Sequence, residues 1–232
     1  MSEAFEKVLG IRHLPIFPLP LVLLPNELLP LHIFEERYRK MLTDVEADRR
    51  LFGITLFDPP EDFIEKPETG TVGCVAEVRE AQTLPDGRSN ILTIGLVRYR
   101  LNEYIEAGEP YLVGDIEFFE DDVEDASVLN PLADEVFILF RRIARAAHKL
   151  SGERGIFPDI PQAEPEQLSF LVTAAFNLEP AMKYRMVETR STIERLTRLR
   201  EILVQAVDKM EDNAEISKIA KTNGHSKKKI DI

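Results

Sequence analysis

The side chains that could do chemistry in this chain are few, and their spacing matches no catalytic pattern. Ser151 lies close to Lys149, and a serine beside a lysine can act as a nucleophile activated by a base. The two residues occupy polar positions at the end of a predicted helix and lack the glycines that support such a site. A phosphate loop of the form Gly-x-x-x-x-Gly-Lys-Ser/Thr is absent from the sequence, and the scattered glycines form no dinucleotide fingerprint. The sequence therefore predicts no catalytic residue, no nucleotide cofactor and no enzyme activity.

Metal ligands are equally sparse. The chain has one cysteine, Cys74, which excludes an internal disulfide and agrees with a reducing cytoplasm. The histidines show no metal-ligand spacing with this cysteine, and they are His13, His32, His148 and His225. Asp121 and Asp122 lack the spaced pattern and the central glycine of a calcium loop. We therefore expect no bound metal and no other cofactor.

Charge is distributed unevenly along the 232 residues. The formal net charge is −12, and residues 101–140 contain twelve acidic side chains with no lysine or arginine. A run of like charge is typical of a solvated linker or of a sheet edge that resists aggregation. It would also repel nucleic acid. We therefore place a domain boundary near residues 120–125 and expect no nucleic-acid partner.

Residues 14–38, LPIFPLPLVLLPNELLPLHIFEERY, combine many apolar side chains with five prolines. Proline cannot donate to a sheet ladder, which argues against a central strand, while side chains this apolar must be buried. We predict an extended ribbon packed against later strands, a turn near Pro25 and Asn26, and a helix from Phe34. The apolar part is too short to span a membrane, and acidic residues precede it without a cleavage site after it. The sequence therefore predicts neither a signal peptide nor a membrane partner.

The next part of the chain is rich in predicted strands. Short apolar runs predict strands at residues 51–57, 71–84, 90–104 and 111–119, with a tight turn at residues 85–88. The third of these runs has apolar residues on both faces, and we expect Gly95 within it to mark a bend. Together the strands predict a small, mostly antiparallel and strongly curved sheet.

Helical spacing of apolar residues dominates the rest of the chain. Asn130 is predicted to cap the first long helix, with Pro131 in its first turn. Ser191 and Glu194 form a capping box at the start of the last helix. The predicted parts are a β-rich domain over residues 9–120, a helical subdomain over residues 127–211 and a disordered basic tail over residues 212–232.

Several short motifs follow one another in a fixed order along the first half of the chain. They are Leu14-Pro15-x-Phe17-Pro18-Leu19, Leu24-Pro25, Pro30-Leu31-His32-Ile33-Phe34-Glu35-x-Arg37-Tyr38, Gly70-Thr71-Val72-Gly73, Pro85-Asp86-Gly87-Arg88 and Gly95-x-x-Arg98-Tyr99-Arg100. The ordered set resembles the N-terminal, substrate-binding domain of Lon proteases, in a stand-alone form without the ATPase and protease domains. The resemblance covers residues 9–119 well. One departure is Asn26, where the family often has glycine, and asparagine also tolerates a left-handed turn.

The resemblance implies an α+β fold, in which a PUA-like pseudo-barrel of mostly antiparallel strands precedes a helical bundle. It also implies a non-catalytic, cytoplasmic module that binds unfolded or partner protein segments, as an adaptor in protein quality control. Such a module needs apolar groups that folding leaves exposed. The candidates are apolar residues in segments that otherwise have loop character, namely Leu28, Leu29, Phe63 and Ile64. The alternative is that these side chains pack beneath their own loops.

Two other functional classes stay open at this point. The PUA-like fold suggests RNA binding by analogy, but RNA binding needs a basic face, and the sequence offers only a basic tail on an acidic body. An enzyme of unrecognised type would need a convergent acid, base or nucleophile, which the sequence does not show. The sequence also leaves the oligomeric state open, including a homo-oligomer.

Overall fold

Strands dominate the first half of the chain and helices the second half in the computed structural model, which describes residues 3–59, 66–150 and 160–223. The strands are β1 His13–Leu19, β2 Leu28–Ile33, β3 Leu51–Leu56, β4 Val72–Thr83, β5 Ser89–Ile105 and β6 Leu112–Phe119. The helices are α1 Glu3–Val8, α2 Glu36–Ala47, α3 Ala126–Leu150, α4 Pro165–Ala175, α5 Pro180–Glu188 and α6 Thr192–Asn223.

The sheet is built on strand β5. This strand pairs with β4 on one side, and on its other side it pairs first with β2 and then with β6. The strands β5, β4, β3, β1 and β6 close into a ring, because β6 returns to pair with β5. Strand β2 lies outside this ring, and within the described residues it pairs with β5 alone. The pairing of β1 with β3 is parallel and the other pairings are antiparallel, as the sequence predicted for a curved and mostly antiparallel sheet.

The prediction that the prolines exclude a central strand is wrong for β1. This strand lies between β3 and β6 in the ring. Its first half, which contains Pro15, pairs with β6, and its second half, which contains Pro18, pairs with β3. Each half of β1 therefore forms ladder hydrogen bonds with one neighbouring strand only. A proline whose nitrogen faces the unpaired side of its half removes none of these hydrogen bonds.

Strand β5 presents one face to the barrel interior and the other to the helices. Tyr99 is fully buried in the interior, where its hydroxyl lies within hydrogen-bond distance of the Thr55 hydroxyl. A Cβ atom at Gly53 or Gly73 would lie 2.5 Å from the Tyr99 hydroxyl oxygen, so both glycines make room for this ring. Because successive side chains of a strand point to opposite faces, Arg98 points outward from the barrel.

The helices α3, α4, α5 and α6 share a core of their own. Helices α4 and α5 also pack against the barrel, where Phe170 and Val187 meet Val22, Leu24 and Val72 in a second apolar cluster. This contact places α4 against the outside of the sheet, next to the turn that precedes β2.

The start of α3 differs from the prediction. The helix begins at Ala126 rather than after Asn130, because the Asp125 side chain accepts the Ser127 N–H at 2.9 Å and caps the helix there. Pro131 consequently lies inside the helix instead of in its first turn.

The start of α6 agrees with the prediction, because the Glu194 N–H donates to the Ser191 hydroxyl at 3.0 Å. The helix then continues to Asn223, so residues 212–223 are helical where the sequence predicted a disordered tail. No glycine or proline interrupts this stretch, and a helix can continue until such a residue stops it. The rest of the predicted tail, residues 224–232, lies outside the described residues.

Candidate protein-binding surface

Leu28 and Leu29 lie in strand β2, not in the loop that the flanking Pro25 and Pro30 suggested. Pro30 is compatible with this strand because β2 is an edge strand. Leu28 is 59% exposed, whereas Leu29 packs against the core cluster beneath the strand. Adjacent side chains of a strand point to opposite faces, so the two leucines belong to different surfaces.

The main-chain N–H and C=O groups of β2 also point alternately toward β5 and toward the open edge. The Gly95 N–H donates to the Glu27 carbonyl at 2.9 Å, at the start of the register that pairs β2 with β5. In an antiparallel ladder only alternate residues form hydrogen bonds with a given neighbour. Leu29 therefore turns its N–H and C=O groups toward β5, and Pro30 turns its main chain toward the open edge. Because proline has no N–H, the middle of this edge lacks one donor.

An apolar surface runs across β2 and β5 on the side of the sheet opposite Leu29 and the core cluster against which it packs. Directly opposite residues of paired strands lie on the same face, and Leu28 is opposite Ile94 while Pro30 is opposite Leu92. Phe34 follows directly after β2, lies on the same face by the same alternation and is 60% exposed. We call this surface the outer face, formed by Leu28, Pro30, Phe34, Leu92 and Ile94. His32 lies between Pro30 and Phe34 on the same face, within hydrogen-bond distance of the Asn90 side chain, so the contiguous apolar part is Leu28, Pro30, Leu92 and Ile94. Single exposed apolar residues are ordinary, but a contiguous group of them marks an interaction site.

The turn before β2 is fixed against β5. Asn26 adopts a left-handed conformation with a φ of 65°, and its N–H donates to the Gly95 carbonyl at 2.8 Å. The Glu27 N–H donates to the Leu24 carbonyl at 3.1 Å and closes the turn. A Cβ atom at Gly95 would lie 2.1 Å from the Leu24 oxygen, so this close approach requires glycine. The register between β4 and β5 also shifts next to Gly95, where the sequence predicted a bend.

A groove separates this turn from helix α4. It has a volume of about 640 Å³, with residues 25–28 on one wall and α4 on the other. Leu171 on the α4 wall is 42% exposed. A smaller cavity of about 260 Å³ shares the turn and Gln167 with this groove and reaches Ile94, and its lining also includes the charged residues Glu3, Lys7, Arg79 and Glu166. Leu28 lies on the outer face and also lines the larger groove, so the two surfaces are continuous, and we call this larger groove of about 640 Å³ the apolar groove.

Helix α4 is held against the strands by a buried group of charged residues. Asp121, from the segment between β6 and α3, lies between Arg98 of β5 and Arg195 of α6 and accepts hydrogen bonds from both. Arg98 also donates to the Val187 carbonyl of α5 at 3.0 Å. Arg195 donates to the Ser169 hydroxyl of α4 at 2.9 Å. We call Arg98, Asp121 and Arg195 the arginine–aspartate cluster.

The ring of Phe170 in α4 covers this cluster. The guanidinium carbons of Arg195 and Arg98 lie 4.3 and 5.3 Å from its centroid, within the range of cation–π attraction. Burial lowers the pKa of Arg98, and the charge of Asp121 opposes that shift. Arginine nevertheless keeps its proton at neutral pH, so the cluster is charged. The prediction of a solvated acidic linker is therefore wrong at Asp121, because the arginines that bury and pair with it lie far away in the sequence.

Groups that could react or bind metal do not converge in the described part of the chain. No group of three or more His, Cys, Asp and Glu residues within it could hold a metal ion. Cys74 is buried, and burial raises the pKa of its thiol, so the reactive thiolate does not form near neutral pH. Ser151 lies outside the described residues. Among the described residues no helix is long and apolar enough to cross a membrane.

The four residues predicted for binding have different positions. Leu28 lies on the outer face and Leu29 beneath it, while Phe63 and Ile64 lie outside the described residues. Sequence reasoning missed the β5 side of the outer face, although the apolar residues on both faces of this strand were a signal for it. It also missed Leu171, whose exposure depends on how α4 packs and leaves no local pattern.

Comparisons with known proteins place this fold among relatives. A family model described as the ATP-dependent protease La (LON) substrate-binding domain matches residues 13–205. The Lon proteases of Brevibacillus choshinensis and Dictyoglomus thermophilum are 28% and 25% identical to this chain, each over 199 residues. These matches cover 84% and 85% of this chain but 25% of each relative. The chain thus spans about a quarter of the length of the Lon proteases that it matches.

Two solved structures share the fold. The Lon N-terminal domain protein from Xanthomonas campestris has a TM-score of 0.59 and 21% identity, over 82% of this chain and 97% of that one. The N-terminal domain of the Mycobacterium avium complex Lon protease has a TM-score of 0.60 and 16% identity, over 83% of this chain and 98% of that one. The predicted α+β fold, a mostly antiparallel pseudo-barrel followed by helices, is confirmed.

Proposed function

The chain belongs to the family of the LON substrate-binding domain, and from this premise we propose that it is a non-catalytic module that binds polypeptide segments. The segments are unfolded stretches or parts of partner proteins, and they bind at the outer face and the apolar groove. The observation that carries this proposal is the continuity of the two surfaces. Leu28 belongs to both surfaces, since it lies opposite Ile94 on the outer face and lines the groove whose other wall is α4.

The free energy of binding comes from the apolar area that a bound segment covers. Leu28, Phe34 and Leu171 are all largely exposed in the chain alone. Burying a fully exposed side chain of this size is worth roughly 1.5–3 kcal/mol, and about half of that is available at side chains that are 42% to 60% exposed. Several such contacts offset the loss of freedom of an extended segment when it is ordered on the surface. Contacts of this kind also tolerate many sequences, which suits a module that receives unfolded chains.

RNA is a poorer ligand for this surface than polypeptide. Nucleic-acid binding depends on lysine and arginine side chains that neutralise phosphates. The described residues that line the apolar groove include Glu27 and no basic residue, and the net charge of the chain is −12. A polypeptide ligand needs no such neutralisation. In a cell, a module of this kind would serve as an adaptor in protein quality control.

The double variant Leu28→Ser, Leu171→Ser tests the proposal. Its affinity for fluorescently labelled, reduced and carboxymethylated α-lactalbumin, measured by anisotropy, should fall by about tenfold or more, because two apolar contacts are lost. Both side chains are exposed, so the thermal midpoint should change by only about a few degrees.

A matched control is the double variant Val128→Ser, Val204→Ser, which changes two exposed apolar residues that do not line the groove. This variant should bind the labelled protein with the affinity of the wild type. The proposal is overturned if the Leu28, Leu171 variant also keeps that affinity.

A further inference from the structure

Glu27 is the one charged side chain among the described residues that line the apolar groove. The other lining residues are apolar or carry an amide group, and they include Pro25, Leu28, Leu171 and Gln167. A carboxylate in such surroundings is disfavoured unless a donor or a cation meets it. The groove therefore contains one position at which a ligand can gain a specific polar contact.

The fold uses Glu27 in a way that does not require its charge. One of its carboxylate oxygens accepts the Leu24 N–H at 2.9 Å, which helps to close the turn before β2. The side-chain carbonyl of a glutamine could accept the same hydrogen bond. The turn therefore explains an acceptor at this position, but it does not explain a negative charge.

The negative charge is disfavoured where it stands. Burial raises the pKa of Glu27, and the hydrogen bond from Leu24 and the charge of Lys183 oppose that shift only in part. A carboxyl group whose pKa is raised by folding makes the folded state less stable at neutral pH than a neutral group of the same shape does. Charges that lower stability and line a groove are typical of functional positions.

We propose that Glu27 determines specificity, so that the apolar groove selects polypeptide segments in which a lysine or arginine is flanked by apolar residues. This inference rests on the polypeptide-binding function proposed above. The cationic head of the ligand side chain pairs with the Glu27 carboxylate, while its methylene stem lies along Leu28 and Leu171. The flanking apolar residues of the segment cover the outer face.

Three fluorescein-labelled peptides with one shared apolar sequence test this inference, with lysine, norleucine or glutamate at the central position. Norleucine keeps the stem of lysine and lacks its charge. The wild type should bind the lysine peptide about tenfold more tightly than the norleucine peptide, and the glutamate peptide least tightly. The variant Glu27→Gln should bind the lysine and norleucine peptides equally, with the affinity that the wild type has for norleucine.

The variant Glu103→Gln is the matched control. Glu103 is exposed on β5, does not line the groove, and its replacement changes the net charge by the same amount. This variant should keep the preference for lysine, which separates a contact at Glu27 from the general attraction of an acidic chain for cations. Thermal melting of both variants shows whether the turn before β2 is intact.

The outcomes distinguish the two proposals. If the wild type binds the lysine and norleucine peptides equally, or if Glu27→Gln keeps the preference, the specificity inference is wrong and the binding function stands. If Glu27→Gln melts at a clearly lower temperature and loses affinity for both peptides alike, Glu27 only holds the turn and the inference is again wrong. If the wild type binds neither the norleucine peptide nor carboxymethylated α-lactalbumin, the proposed function itself fails.

Discussion

Helix α4 meets the arginine–aspartate cluster on one side and the apolar groove on the other. On the first side charged groups are buried, where Arg195 donates to Ser169 and lies over Phe170. On the second side Gln167 and Leu171 border a groove that is open to solvent. Folded proteins usually bury apolar groups and expose charged ones, and the surroundings of α4 depart from this rule on both sides, although α4 itself buries Leu168, Phe170 and Val172.

The two sides of α4 have different roles, because one side fixes the position of the helix and the other can be covered by a ligand. Buried charges need their partners in a fixed geometry, so the arginine–aspartate cluster fixes the position of α4 against β5. Exposed apolar groups gain free energy only when another molecule covers them. We therefore expect substitutions near the cluster to lower stability and substitutions along the groove to lower affinity.

The largest effect is expected for Asp121→Asn. This change leaves Arg98 and Arg195 buried without a compensating charge, which should cost about 3–5 kcal/mol in the free energy of unfolding. The control Asp122→Asn breaks an exposed pair with Arg190, in which the charged atoms lie 2.7 Å apart, and should cost less than about 1 kcal/mol. Urea denaturation measures both values, and equal losses would contradict the structural role of the cluster.

A smaller effect is expected for Leu29→Ala, because this side chain packs against the core beneath β2. The loss in the free energy of unfolding should be about 2 kcal/mol. The neighbouring change Leu28→Ala should alter stability by no more than about 0.5 kcal/mol, yet weaken the binding of carboxymethylated α-lactalbumin. Denaturation and anisotropy on both variants check this, and a greater loss of stability at Leu28 would contradict the assignment of the two faces.

The smallest effect is expected for Glu27→Gln, and it depends on pH. Because folding raises the pKa of Glu27, its contribution to stability is present at low pH and is lost as the pH rises through that pKa. Glutamine does not titrate, so the stability of the variant relative to the wild type should increase from about pH 4 to neutral pH. Urea denaturation at both pH values measures the difference, and a relative decrease at neutral pH would contradict the assigned direction.

The parts of the fold that the sequence predicted are those that local patterns determine. Alternating apolar runs and turn residues located the strands after β2, and the Ser191 cap located the start of α6. The central position of β1 and the burial of Asp121 depend instead on partners that are distant in the sequence. A run of acidic residues gives no local sign that one member will be enclosed by two arginines.

The candidate site divides in the same way. The exposure of Leu28 could be predicted, because an apolar residue between two prolines is a local signal. Its neighbour Leu29 received the same prediction, because the strand that contains both leucines was not recognised in the sequence. The apolar groove could not be predicted, since it forms where residues 25–28 meet α4, and these segments are far apart in the sequence. The role proposed for the Glu27 carboxylate depends on the residues that surround it in the groove, and the sequence does not show which residues these are.

A protein with the proposed function faces a hazard of its own. Unfolded chains readily add to an open sheet edge, and each added strand can template the next until a β-aggregate has grown. Pro30 removes a donor from the middle of the open edge of β2, so an incoming strand would lose a hydrogen bond at the centre of its ladder. A segment that is held by its side chains can leave again, whereas a segment joined through a continuous ladder would stay and recruit others.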